Sequence, residues 1–172
     1  LSRAILMNVT IRKGYLLSSS RKAFVFGLKL LSVILISLSP SQLAAAEKFD
    51  GQFIAAEVAR AIASPDNTVE IIVAQPIDLV FDALLSRLAE YSESISDISF
   101  DNSNSQNSAA VGVGSQRITT MDDGKRLVQR IIIFEPPNTF AYFTDMAKST
   151  VSVPIGYSIG YYQFSELQDK TV

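Results

Sequence analysis

The chain contains neither histidine nor cysteine, so chemistry falls to its carboxylates, lysines, arginines and tyrosines. Zinc sites built on thiolates or imidazoles, Cys-His and Ser-His-Asp nucleophiles, disulfides and imidazole acid–base catalysis are all removed at once. What remains converges on residues 111–143, "VGVGSQRITTMDDGKRLVQRIIIFEPPNTFAYF", which read as three strands joined by two tight turns. In the second strand Leu127, Gln129, Ile131 and Ile133 share one face, while Arg126, Val128, Arg130, Ile132 and Phe134 share the other. One polar residue among three aliphatics is the pattern of a mostly apolar cavity wall with a placed polar group. Tyr142 in the third strand, and Tyr157 with Tyr161 on a common face further on, add phenols. Arg117 is the charge that can join them. If it faces inward it needs a carboxylate or an anionic ligand group, because an unpaired buried charge is costly.

These side chains must be positioned by a small set of elements. "EKFDGQFIAAEVARAIAS" places Phe53, Ile54, Val58, Ala61 and Ile62 at helical spacing, and "SPDN" ends the run. The expectation is a short amphipathic helix that packs on the domain, with Glu57 and Arg60 on its polar face. Thr68 to Val73 is rich in β-branched residues and reads as a strand. Pro76 then suits the first turn of a helix carrying Val80, Phe81, Leu84, Leu85 and Leu88 on one face and broken near Ser86. Residues 96–110 begin as a short strand and become a polar loop of Ser and Asn. Asp123-Gly124 centres one hairpin and Pro136-Pro137 the next turn, "GYSIGYYQFSEL" is a further strand, and after a turn at "QDK" the residues "TV" begin another. Gly112 and Gly114 do not make a dinucleotide fingerprint, since Arg117 stands where a third glycine is needed and no strand-to-helix context follows. They read as points of close backbone approach.

Charge divides the chain. Residues 1–46 hold six basic residues and no acid, whereas the remainder holds nine basic residues against seventeen acidic ones, a formal charge of −8. A negative domain opposes phosphate backbones and anionic lipid surfaces, so nucleic acid is excluded as a partner and membrane contact is left to the N-terminal segment alone. That segment has the three zones of a secretory signal: a basic region to Lys29, the apolar run Leu30 to Leu38, and a small-x-small motif at Ala44-Ala45-Ala46. The expected layout is a leader over 1–46 cleaved after Ala46, a helix and linker over 47–67, and a domain over 68–172 that is secreted or periplasmic. An uncleaved leader acting as a membrane anchor is the alternative. The apolar stretch falls short of the about 20 residues needed to span a bilayer.

Strand, helix pair and a run of antiparallel strands describe an α+β domain. The segments "VEIIVAQPIDLVFDALL", "VGVGSQR", "DDGKRLVQRIIIFEPPNTFAYF" and "GYYQFSELQDKTV" resemble the polyketide cyclase/dehydrase and lipid-transport branch of the START-like (SRPBCC) superfamily, the Bet v 1-like helix-grip fold. The likeness rests on Ala74, Pro76, Val80 and Phe81 at the helix start, on Gly112, Gly114 and Arg117, and on Pro136, Pro137, Phe140 and Tyr142, over residues 68–172. It implies a curved antiparallel sheet with two short helices after its first strand, and an apolar cavity lined by Arg117, Leu127, Gln129, Ile131, Ile133, Tyr142, Tyr157 and Tyr161. The family closes with a further strand and a long C-terminal helix that are not seen before Val172. The resemblance therefore implies a domain truncated at its C-terminus, with an apolar sheet face left bare.

Three functions stay open. The first is an exported binding or carrier domain for a hydrophobic small molecule such as a lipid, quinone or polyketide, with no cofactor, metal or catalytic residue. The second is a cyclase- or aromatase-type enzyme in which Arg117 stabilises an enolate while Tyr142 or Tyr161 moves a proton. The third is an exported structural or interaction domain without a ligand. Oligomeric state is not read from the sequence.

Overall fold

The computed structural model describes residues 5–14 and 49–167. The described chain runs β1 (Ile5–Gly14), α1 (Gly51–Ala63), β2 (Asn67–Val73), α2 (Ile77–Leu85), a single 3-10 turn (Leu88–Glu90), β3 (Ile95–Asp101), β4 (Gln116–Met121), β5 (Arg126–Glu135), β6 (Thr139–Asp145) and β7 (Tyr157–Glu166). All seven strands join one antiparallel open sheet in the order β2-β1-β7-β6-β5-β4-β3. The class is α+β, as expected.

Strands β3 to β7 form a meander because each turn carries residues that cannot extend a ladder. Gly124 takes a φ of +79° between β4 and β5, where a side chain would be strained. Pro136 and Pro137 turn the chain between β5 and β6. The segment 111–115, expected to belong to β4, is instead a run of turns after the Ser- and Asn-rich loop. Its glycines permit that loop to fold back. A Cβ on Gly114, whose φ is +95°, would lie 2.1 Å from the Asn104 carbonyl oxygen.

Among the described residues, each sheet face is covered by one helix. On the first, Val80, Phe81 and Leu85 of α2 bury themselves among Ile5, Met7, Ile131, Phe140, Tyr142 and Phe164. Aromatic rings fill this space: Phe81 meets Phe140 edge-on at 5.1 Å and Phe164 at 5.7 Å, and Phe140 stacks on Tyr162 at 4.5 Å. On the second, Ile54 and Ala61 of α1, with Phe49 before it, pack against Phe143, Tyr157 and Ile159. Asp50 starts α1 by accepting the Phe53 N–H at 2.8 Å.

Strand β1 lies inside the segment expected to be a leader. It pairs with β7 from Ile5 to Gly14 and with β2 from Ile5 to Ile11, so it is an interior strand of the sheet. The apolar run Leu30 to Leu38 and the cleavage motif at Ala44 and Ala46 lie outside the described residues. Among the described residues no helix is long and apolar enough to cross a membrane.

Candidate functional site

Strand register brings five of the eight expected lining residues to the α2 face. Arg117 pairs with Gln129, Thr119 with Leu127, Gln129 with Thr144 and Ile131 with Tyr142, so Arg117, Leu127, Gln129, Ile131 and Tyr142 point the same way. The other three do not join them. The β5–β6 register shifts between Ile131 and Ile133, which places Ile133 opposite Ala141 and Phe134 opposite Phe140. One extra residue flips everything after it to the other side. Phe134 therefore packs on the α2-side core, and Ile133 leaves the face assigned to it by simple alternation. Tyr157 and Tyr161 share a face, as read from the sequence, but it is the α1 face, where Tyr157 packs with Phe143 and Ile159.

Arg117 is 3 % exposed and has no carboxylate within ion-pair distance among the described residues. Its Nε donates to the Leu85 carbonyl at 2.6 Å, and Nη2 donates to the Leu84 carbonyl at 3.3 Å. Nη1 donates to Thr119 Oγ1 at 2.8 Å and to Gln129 Oε1 at 2.6 Å. The two carbonyls belong to the last turn of α2, where acceptors lack intrahelical partners and the helix dipole favours a cation. The expectation that an inward arginine needs an acid or an anionic ligand is thus met otherwise, by a helix end and two neutral side chains. The guanidinium also lies 5.2 Å from the centroid of the Tyr142 ring. The Tyr142 hydroxyl is buried and has no hydrogen-bond partner among the described residues. Burial raises its pKa above the ordinary phenol value, against a smaller opposing effect of the Arg117 charge.

The opposite face holds a different polar group. Glu57, placed on the polar side of α1 by the sequence pattern, is 2 % exposed and turned toward the sheet. Arg12 Nε of β1 donates to it at 3.1 Å, the Tyr157 hydroxyl donates at 2.8 Å, and Arg60 forms a short contact to its other oxygen. Desolvation alone would raise the Glu57 pKa. The hydrogen bonds from Tyr157 and Arg12 and the charges of Arg60 and Arg12 outweigh it and hold the carboxyl below its usual range. Tyr157 is pushed up to about 12, first by burial and then by its bond to Glu57. A spacing signal for this was present: Glu57 stands three residues after Ile54 and four before Ala61, on the buried stripe.

Among the described residues, space for a ligand lies beside the aromatic core. A cleft of about 540 Å³ opens between α2 and the β1–β2 edge of the sheet. Its walls are Met7, Ile71, Val73, Leu79, Val80, Ala83, Leu84 and Leu88, with Gln75, Arg87 and Tyr91 as polar groups. None of the eight residues expected to line a cavity reaches it. Leu79 and Ile71 at its mouth are 49 % and 43 % exposed, a large apolar exposure for two neighbouring elements. At the rim, Arg87 holds both oxygens of Glu90 at 2.8 and 2.6 Å and lies 3.9 Å from Asp82. That hydrogen bonding keeps the Glu90 carboxyl below its usual range. One cation against two carboxylates leaves the rim slightly negative. A second, shallower groove of about 520 Å³ lies between α1, β5 and the Gly114 turn.

No protein-family model, curated protein or solved structure matches the chain.

Proposed function

We propose that this chain is a binding or carrier domain for an uncharged hydrophobic small molecule such as a lipid, a quinone or a polyketide, held in the cleft beneath α2. The observation that carries this reading is the cleft. Its volume lies within the roughly 300–1,000 Å³ of ligand pockets, and its wall is aliphatic with a few polar groups at one side. Charge narrows the class. With Arg87 already engaged by two carboxylates, the rim offers no spare cation among the described residues for a fatty acid or phosphate ester, whereas a neutral ligand meets no penalty. The order of elements and the residues Ala74, Pro76, Val80, Phe81, Arg117, Pro136, Pro137 and Tyr142 support a START-like, helix-grip relationship. An enzyme of cyclase type has weaker support. Four Arg117 donors are committed to protein acceptors, which leaves little to stabilise an enolate.

The test is a titration of the full chain with an uncharged, environment-sensitive dye, followed by displacement with a neutral quinone and with decanoate. Leu79→Asp and Ala83→Arg each place charge in the wall, and should weaken dye binding at least tenfold, about 1.4 kcal/mol. The quinone should displace the dye at lower concentration than decanoate. Unchanged binding in both variants would remove the cleft as the site.

A further inference from the structure

We propose that the groove between β2 and β7 is a strand-acceptor site, and that residues 5–14 occupy it as a docked peptide that stays in place without covalent continuity to the rest of the domain. Both partners of β1 are remote in sequence, at 67–73 and 157–166, and both ladders are antiparallel. Among the described residues it is held by its backbone hydrogen bonds and side chains, as a peptide that adds to a sheet is held.

Those side chains define what the groove accepts. Ile5, Met7 and Val9 alternate onto the α2 face, where Ile5 and Met7 are buried beside Phe164 and Val9 packs at the margin. Arg12 points to the opposite face and reaches the buried Glu57, while its Nη1 donates to the Ser64 carbonyl at 3.1 Å. The Lys13 N–H donates to Asp66 Oδ2 at 2.7 Å, and the Asp66 N–H donates to the Ile11 carbonyl at 3.0 Å. Gly14 ends the site. A Cβ there would stand 1.9 Å from the Tyr157 ring, and that ring cannot give way because its hydroxyl is tied to Glu57 and its face is stacked on Phe143. The accepted peptide therefore has three apolar residues at alternate positions, an arginine three residues after the last of them, and a glycine two residues later.

The experiment uses the full chain with a specific protease site introduced between Ser41 and Ala45. After cutting, size exclusion and native mass spectrometry should find the two fragments together at one-to-one stoichiometry. A fluorescent peptide spanning residues 3–16, added in excess to the cut protein, should exchange into the groove. Competitor peptides carrying Arg12→Ala or Gly14→Val should act at least tenfold more weakly than one carrying Thr10→Ser. Because these substitutions sit in the peptide, the domain itself is unchanged. Release of the N-terminal fragment on cutting, with the remainder folded or aggregated, would overturn the proposal. So would equal competition by all three peptides, which would mean adhesion without a site. Because Met7 of this strand forms part of the cleft wall, dye binding is measured on the uncut chain, so that release of the fragment on cutting leaves the proposed ligand site standing.

Discussion

Arg117 and Glu57 are buried to nearly the same degree on opposite faces of one sheet, yet their charges are compensated in different ways. Arg117 is bound by two backbone carbonyls, a hydroxyl and an amide, all neutral. Glu57 is bound by two arginines and a phenol. The first arrangement closes a helix end: α2 has no side-chain cap at its N-terminus, where Pro76 stands, and finds its fixed partner at the other end. The second ties together three segments remote in sequence, β1, α1 and β7. A buried charge can thus serve local order or long-range assembly, and the identity of its partners distinguishes the two roles.

The largest expected effect breaks the Arg117 side of this comparison. Arg117→Ala leaves the Leu84 and Leu85 carbonyls, Thr119 and Gln129 short of donors in a buried place, at about 1–3 kcal/mol for each group that water cannot reach. Stability measured by urea unfolding should fall by about 3 kcal/mol or more. Arg117→Lys should recover only part of it, because an ammonium cannot reproduce the guanidinium fork. Full recovery by lysine would show that charge, and not geometry, is what α2 needs.

The Glu57 side is sharpened by pH. Glu57 has a depressed pKa in the folded protein, so its contribution is present above its unfolded value of about 4.3 and is lost as pH falls through the lower folded value. Tyr157 has a raised pKa, so its contribution is present below its unfolded value of about 10 and is lost as pH rises toward about 12. Glu57→Gln should lower stability near neutrality by about 2 kcal/mol, the scale of a hydrogen bond to a charged group. It should also flatten the acid limb below pH 4 and reduce the alkaline one. Arg117→Ala should lower the whole curve and keep its acid limb, since none of the groups bonded to Arg117 titrates there. Urea midpoints from pH 3 to pH 11 would decide. An acid limb unchanged in Glu57→Gln would mean that other carboxylates carry it.

The sequence was legible where one local rule acted without competition. Strands β3 and β5 to β7 follow from alternation and turn chemistry, and α2 follows from Pro76 and the spacing of Val80, Phe81 and Leu85. Alternation failed at Ile133, because a register shift leaves no signature in "RIIIFE", where aliphatic residues occupy both faces. Arg117 shares the α2 face with Gln129 and Tyr142. Its partners were not legible, since backbone carbonyls at a helix end have no side-chain code. Strand β1 was hidden for another reason. Ile5, Met7, Val9 and Ile11 alternate as a strand should, but the basic residues and the apolar run that follow carry the stronger pattern of a leader, and one reading displaced the other. The cleft was missed with it, because Met7 forms part of its wall.

The smallest effect concerns how the two helices are closed. Helix α1 is fixed at its start by Asp50, whose carboxylate accepts the Phe53 N–H, whereas α2 is fixed at its end by Arg117. Asp50→Ala should cost about 1 kcal/mol, the usual scale of an N-cap, and Asp50→Asn should restore most of it. The consequence should extend to the far side of the sheet contact. Fraying the first turn of α1 loosens Phe49 and Phe53, whose rings meet Tyr157 at 5.3 Å, and so weakens the phenol that donates to Glu57. Combining Asp50→Ala with Glu57→Gln should therefore cost less than the sum of the two changes, whereas Asp50→Ala with Arg117→Ala should be additive, the two sites lying on opposite faces. Coupling of the Asp50–Arg117 pair as large as that of the Asp50–Glu57 pair would mean that the two faces of the sheet form a single cooperative polar system.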